Sequence, residues 1–149
     1  DKYDPCCGTP LFDAIGKTVK KIKKDTKNIE DAAVLVTIIT DGYENSSKEW
    51  TGPMVKKLID ECKEEGWMFS FIGAGEDVVK VATTISITNT VVWEQTSEGT
   101  AAMFENENQA RNRFYDKMAA PCCGAPMSLE ERKAMKRRLS EEYYDKDKK

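Results

Sequence analysis

Asp41 is the residue whose type and position point most directly to chemistry. It follows an apolar, β-branched run at residues 34–39 and precedes Gly42, with Glu44 close behind. If that run is a strand of a parallel sheet, Asp41 lies at the carboxyl edge, where ligands bind because loops and helix N-termini converge there. A carboxylate at this edge is a hard oxygen ligand suited to Mg²⁺ or Ca²⁺. The alternative is that Asp41 only stabilises the turn after the strand.

Thr9 is the second candidate metal ligand. It stands in a Gly-Thr-Pro turn directly before an amphipathic segment, so its hydroxyl either caps the following helix or ligates a metal ion. Taken alone, a Thr at a helix start is more often a cap. The metal interpretation of Thr9 therefore depends on Asp41 lying beside it in the fold.

The cysteines offer a different chemistry. Of the five present, four form vicinal pairs in the nearly identical hexapeptides PCCGTP and PCCGAP: Cys6, Cys7, Cys122 and Cys123. If the two turns meet, their thiolates form a thiol or zinc site, which is the alternative function. Zinc ligands are, however, usually separated by two to four residues. An odd number of cysteines is also a poor disulfide framework, which favours a reducing, cytoplasmic setting.

Composition argues against several classes of function. The chain has no His and a formal net charge of −3 over 149 residues. The lack of His removes the commonest acid–base group, so we predict that the protein is not an enzyme. The charge balance gives no basic surface for nucleic acid. No apolar run approaches the ~20 residues that span a bilayer, so no membrane partner is expected.

The segments around these residues alternate between strand and helix patterns. Apolar, β-branched runs predict strands at residues 34–40, 67–73 and 91–94. Apolar residues at helical spacing predict helices at residues 9–24, 50–65, 76–85 and 100–118, with Cys62 on a buried stripe. This alternation is typical of an α/β fold with a right-handed parallel sheet.

The composition changes after residue 119, which divides the chain into two predicted regions. Residues 1–119 are predicted to form the α/β domain. Residues 120–149 are predicted to form a Cys-containing loop and a charged helix that starts with a Ser128–Glu131 capping box. Because Leu129, Leu139 and Tyr143 are too few for a strong apolar face, we expect that helix to be exposed or to serve as a linker, and residues 145–149 to be disordered.

Two segments together resemble a known metal-binding motif. GTPLFDAIG at residues 8–16 and VTIITDG at residues 36–42 resemble the second and third segments of the metal-ion-dependent adhesion site of von Willebrand factor A domains. The likeness to small bacterial and phage members extends over residues 3–118. It implies a three-layer, Rossmann-like parallel sheet with helices on both faces. It also implies that Thr9 and Asp41 help to hold a divalent cation, for which Mg²⁺ is the first candidate.

The first segment of that motif, Asp-x-Ser-x-Ser, has no counterpart in this chain. We therefore expect the N-terminal strands of the family fold to be missing, one side of the strand at residues 34–40 to be uncovered, and the metal site to be incomplete and weak.

The resemblance implies a metal-dependent protein-binding module of the adhesion or scaffold type. A partner protein is expected to offer a carboxylate to the metal and to contact the ligand-binding loop, which comprises Gly42, Tyr43, Glu44 and Asn45. The missing N-terminal part of the domain is a second expected partner.

Overall fold

A computed structural model describes residues 8–119 and 127–144. In chain order, the helices and strands of these ranges are α1 (Leu11–Thr26), β1 (Leu35–Thr40), α2 (Gly52–Glu64), β2 (Met68–Gly73), α3 (Glu76–Thr84), β3 (Asn89–Val92), α4 (Ser97–Ala119) and α5 (Leu129–Glu141). The predicted alternation of strands and helices is confirmed.

The strands form one parallel sheet in the order β1-β2-β3. Thr37 of β1 is level with Ser70 of β2, and Ser70 is level with Asn89 of β3. The third strand starts two residues earlier than the apolar pattern predicts. The reason is that Asn89, a poor strand former, donates side-chain hydrogen bonds to the carbonyls of Phe69 (3.2 Å) and Ser140 (2.8 Å).

The first face of the sheet carries the larger core. Side chains at alternate positions of a strand point to the same face, and Ile38, Phe69 and Phe71 pack here against the apolar stripes of α1, α2 and α3. Val19 of α1 and Ile59 of α2 are fully buried in it. Each such side chain stabilises the fold by about 1.5–3 kcal/mol relative to an exposed one.

The second face carries a smaller core, formed by β2, α4 and residues in and just after α5: Met68, Ala110, Phe114, Leu139 and Tyr143. Helices therefore cover both faces of the sheet. One side of α5, the charged C-terminal helix that is expected to be exposed, packs against the body through polar contacts and Leu139. Lys136, for example, is only 1% exposed.

No helix within the described ranges is both long and apolar enough to cross a membrane.

Candidate metal site

The turn after β1 places Asp41 at the carboxyl edge of the sheet with its side chain exposed. Thr40, not Asp41, closes this turn: its hydroxyl accepts a 3.2 Å hydrogen bond from the N–H of Gly42 and lies 3.1 Å from the carbonyl of Gly42. The carboxylate of Asp41 has no hydrogen-bond or ion-pair partner among residues 8–119 and 127–144. Turn stabilisation therefore does not account for the side chain of Asp41.

Thr9 lies directly against this turn. A methyl group added to the Cα of Gly42 would come within 2.6 Å of Thr9 Oγ1, so only Gly fits at position 42 without displacing Thr9. The hydroxyl of Thr9 does not cap the next helix either, because α1 begins after Pro10 without a side-chain cap. The fold thus brings Thr9 against Gly42, in the turn that contains Asp41.

The carboxylate of Glu44 forms hydrogen bonds within the protein and is not available to a ligand. Its carboxylate accepts hydrogen bonds from the backbone N–H groups of Phe12 (2.7 Å), Ser46 (3.0 Å) and Ser47 (2.8 Å), and from the Ser47 hydroxyl (2.7 Å). Burial raises the pKa of Glu44, but these hydrogen bonds outweigh burial and hold the pKa below its usual value. Its oxygens are occupied by donors from the first turn of α1 and from the loop after β1.

Asn45 joins the loop after β1 to the turn before α1. Its Oδ1 accepts a 2.8 Å hydrogen bond from the N–H of Thr9, and its own N–H donates to the carbonyl of Thr9 at 3.3 Å. Of the predicted ligand-binding loop, Asn45 therefore holds Thr9, and Glu44 holds the first turn of α1. Tyr43 is 53% exposed and presents a side chain suited to contact a partner.

Asp13 is a site-building residue that sequence reasoning missed. It is 9% exposed and accepts hydrogen bonds from the backbone N–H groups of Lys48 (3.0 Å), Glu49 (2.9 Å) and Trp50 (2.8 Å). The hydrogen bond from Lys48 is the largest cause that lowers the pKa of Asp13, and burial opposes it. The sequence signal that could have identified Asp13 is an acidic residue in the first turn of a helix, with Gly16 on the same side of that helix.

Gly16 gives room for the end of the same loop. A methyl group on Gly16 would lie 2.1 Å from the indole ring of Trp50, so the ring packs directly on the backbone of α1. The ammonium group of Lys20 lies 4.9 Å from the ring centroid, within cation–π range. The segment from Gly42 to Trp50 is therefore fixed to α1 at both ends.

The oxygen atoms that remain available as metal ligands at this edge suit a hard cation. Thr9 Oγ1 has no hydrogen-bond partner within the two described ranges, so it and the Asp41 carboxylate are available as oxygen ligands. No group of three or more His, Cys, Asp or Glu side chains able to hold a metal occurs in those ranges. A site with only two protein oxygens suits Mg²⁺ better than Ca²⁺, since Mg²⁺ usually keeps several water ligands.

The paired cysteines of the alternative zinc or thiol site, Cys6, Cys7, Cys122 and Cys123, lie outside the described residues. Cys62 is fully buried in the larger core, as its position on the α2 stripe predicts. Burial raises the pKa of Cys62 to about 11, so its thiol stays protonated at neutral pH and is a packing group rather than a thiolate ligand.

Comparison of the chain with protein-family models, curated proteins and solved structures found no match.

Proposed function

We propose that this chain carries part of a von Willebrand factor A-type module that binds a partner protein through Mg²⁺. One observation supports this most strongly. Thr9 lies against the Asp41 turn at the carboxyl edge of a parallel sheet, and neither side chain is used by the turn, the helix cap or the loop. The neighbouring carboxylates of Asp13 and Glu44 are both occupied by backbone N–H groups.

In this proposal the chain supplies a minority of the metal ligands. Asp41 contributes one carboxylate oxygen and Thr9 one hydroxyl oxygen, and water or other donors complete the octahedral shell that Mg²⁺ requires. A carboxylate from the partner protein is the natural further ligand, since it is a hard, charged oxygen donor. Tyr43, exposed beside the site, adds contact area for the partner.

The free edge of β1 supports the N-terminal part of such a domain as a further partner. Within the described residues β1 pairs with β2 alone. Its sequence LVTIIT contains no charge and no Pro, and Ile39 is 44% exposed. Edge strands are usually protected from pairing by charge, Pro or bulges. The proposal therefore includes an apolar strand, followed by Asp-x-Ser-x-Ser, that pairs with β1 and completes the site.

Calorimetric titration of Mg²⁺ tests the proposal. The chain alone is expected to bind weakly, and addition of a peptide with an apolar strand followed by Asp-x-Ser-x-Ser is expected to strengthen binding. Asp41→Ala should lower the affinity of the complemented chain at least tenfold, because it removes the only carboxylate that the chain contributes in this proposal.

Asp25→Ala is the matched control, since Asp25 is an exposed residue near the other end of α1. It should leave Mg²⁺ affinity unchanged. Equal affinity of the Asp41→Ala variant and the unaltered chain would show that Asp41 does not bind the metal and would overturn the proposal.

A further inference from the structure

Helix α5 lies across the second face of the sheet, away from the proposed metal site. Only Lys136 and Leu139 of this helix are buried, and Leu129 at its start is 45% exposed. Its contacts with the body include hydrogen bonds and ion pairs as well as the apolar packing of Leu139. Asp31 and Glu107 each accept hydrogen bonds from two side chains in or just after α5. Arg137 of α5 also pairs with Glu64 at 3.1 Å, and the carbonyl of Ser140 accepts a 2.8 Å hydrogen bond from Asn89.

Asp31 holds the N-terminal half of α5. Its carboxylate accepts hydrogen bonds from Lys136 Nζ (2.5 Å) and Arg132 Nη1 (2.7 Å). Lys136 Nζ also donates to the backbone carbonyls of Asp31 (3.1 Å) and Ala32 (3.0 Å). The buried ammonium is therefore fully satisfied, but only while α5 stays in place.

Glu107 of α4 holds the residues that follow α5. It is 2% exposed and accepts hydrogen bonds from the hydroxyls of Tyr143 (3.0 Å), Tyr144 (2.6 Å) and Thr37 (2.6 Å). Burial raises the pKa of both tyrosines, so their hydroxyls remain donors. Thr37 ties this cluster to β1.

The two cores depend on α5 to different degrees. The larger core, on the first face, includes no residue of α5, whereas the smaller core includes Leu139. Segments with few buried apolar contacts open locally at a lower free energy than the whole protein. Loss of α5 would therefore leave the larger core intact and uncover Met68 and Phe114 on the second face.

We propose that α5 is a releasable strap, fastened over the second face of the sheet by Asp31 at one end and Glu107 at the other. When both carboxylates are engaged the face is closed. When one is disengaged, a buried charge or hydroxyl group loses its partner, and α5 opens while the sheet and the first-face core remain folded. This device is independent of the proposed metal site.

Hydrogen exchange of the full chain, followed by mass spectrometry, tests the strap. Asp31→Asn keeps a residue type that tolerates the positive φ of position 31 (60°) and removes the charge. It is expected to speed exchange in residues 129–141 at least tenfold, with exchange in β1 and β2 changed less than twofold. Glu107→Gln is expected to act in the same direction, most strongly toward residue 141.

Lys133→Gln is the matched control, because the Lys133 ion pair with Glu130 at 3.0 Å lies within α5. It should leave exchange in α5 within twofold. The double variant Asp31→Asn/Lys136→Met removes both members of the buried pair and should restore slow exchange, since an apolar replacement leaves no unpaired charge. If exchange in β2 rises together with exchange in α5, or if Asp31→Asn leaves α5 unchanged, α5 is not a separate strap.

Discussion

The backbone N–H of Thr9 donates a 2.8 Å hydrogen bond to Oδ1 of Asn45. This contact joins the turn before α1 to the loop after β1, and the N–H of Asn45 returns a hydrogen bond to the carbonyl of Thr9. The reciprocal pair fixes the hydroxyl of Thr9 against Gly42. The position of Thr9 is thus set by backbone hydrogen bonds to Asn45.

We expect Gly42→Ala to disrupt the candidate metal site more than the fold. The added methyl group would come within 2.6 Å of Thr9 Oγ1, so Thr9 must move. Mg²⁺ affinity of the complemented chain should fall about tenfold, which corresponds to about 1.4 kcal/mol. The control is Gly52→Ala, whose methyl group would meet the Phe12 ring at 3.4 Å, an ordinary contact. Equal affinities of the two variants would contradict the assignment of Thr9.

Asp13→Ala should loosen the end of the loop after β1. The amides of Lys48, Glu49 and Trp50 lose their common acceptor, so their hydrogen exchange should be at least tenfold faster. Glu49→Gln, a change in an exposed side chain of the same loop, is the control and should leave these amides as slow as before. Unchanged exchange in Asp13→Ala would mean that the loop is held mainly by Trp50 and Glu44.

Glu44 should make the stability of the protein depend on pH in the acid range. Its pKa is lower in the folded protein than in the unfolded chain, so the unfolded state binds more protons as the pH falls. The stabilisation is complete above the unfolded pKa, which is about 4.3 for Glu, and is lost as the pH falls through the lower folded pKa. Thermal unfolding between pH 6 and pH 3 should show a smaller loss for Glu44→Gln than for the unaltered chain. Parallel curves would rule out this role.

Gly16→Ala should destabilise the protein although Ala favours helix. The gain in helix propensity is about 1 kcal/mol, whereas a methyl group 2.1 Å from the Trp50 ring is an overpacking change that costs about 1–3 kcal/mol or more. We expect a net loss in denaturant unfolding and a changed near-UV circular dichroism signal from Trp50. In a Trp50→Ala background the same substitution should be neutral or stabilising, because the clash is gone. Destabilisation of equal size there would place the cause elsewhere.

The sequence alone was sufficient for the first two strands and for the main helices. Residues 34–40 and 67–73 are apolar at both odd and even positions, which is the pattern of strands covered on both faces. The stripe of Leu11, Ile15 and Val19 has the period of a helix with one buried face. These signals are local, because a side chain's direction follows from its position along its own helix or strand.

The roles of the carboxylates were decided by tertiary structure. Asp41 and Glu44 stand three residues apart and look equally suited to a metal, but Glu44 bonds to the N–H of Phe12, 32 positions away. Asp13 likewise bonds to Trp50, 37 positions away. Sequence spacing does not indicate which carboxylates will meet backbone N–H groups, because those groups are brought close only when the chain reverses direction.

The position of α5 was decided in the same way. Its apolar pattern is weak and predicts an exposed helix, yet Lys136 is buried against Asp31, 105 positions away. A hydrophobic stripe can be recognised from one helix alone. Apolar side chains become buried because they leave water, whichever surface covers them. An ion pair needs both partners in place, so this part of the fold follows only from where the turn before β1 and the last helix come to lie.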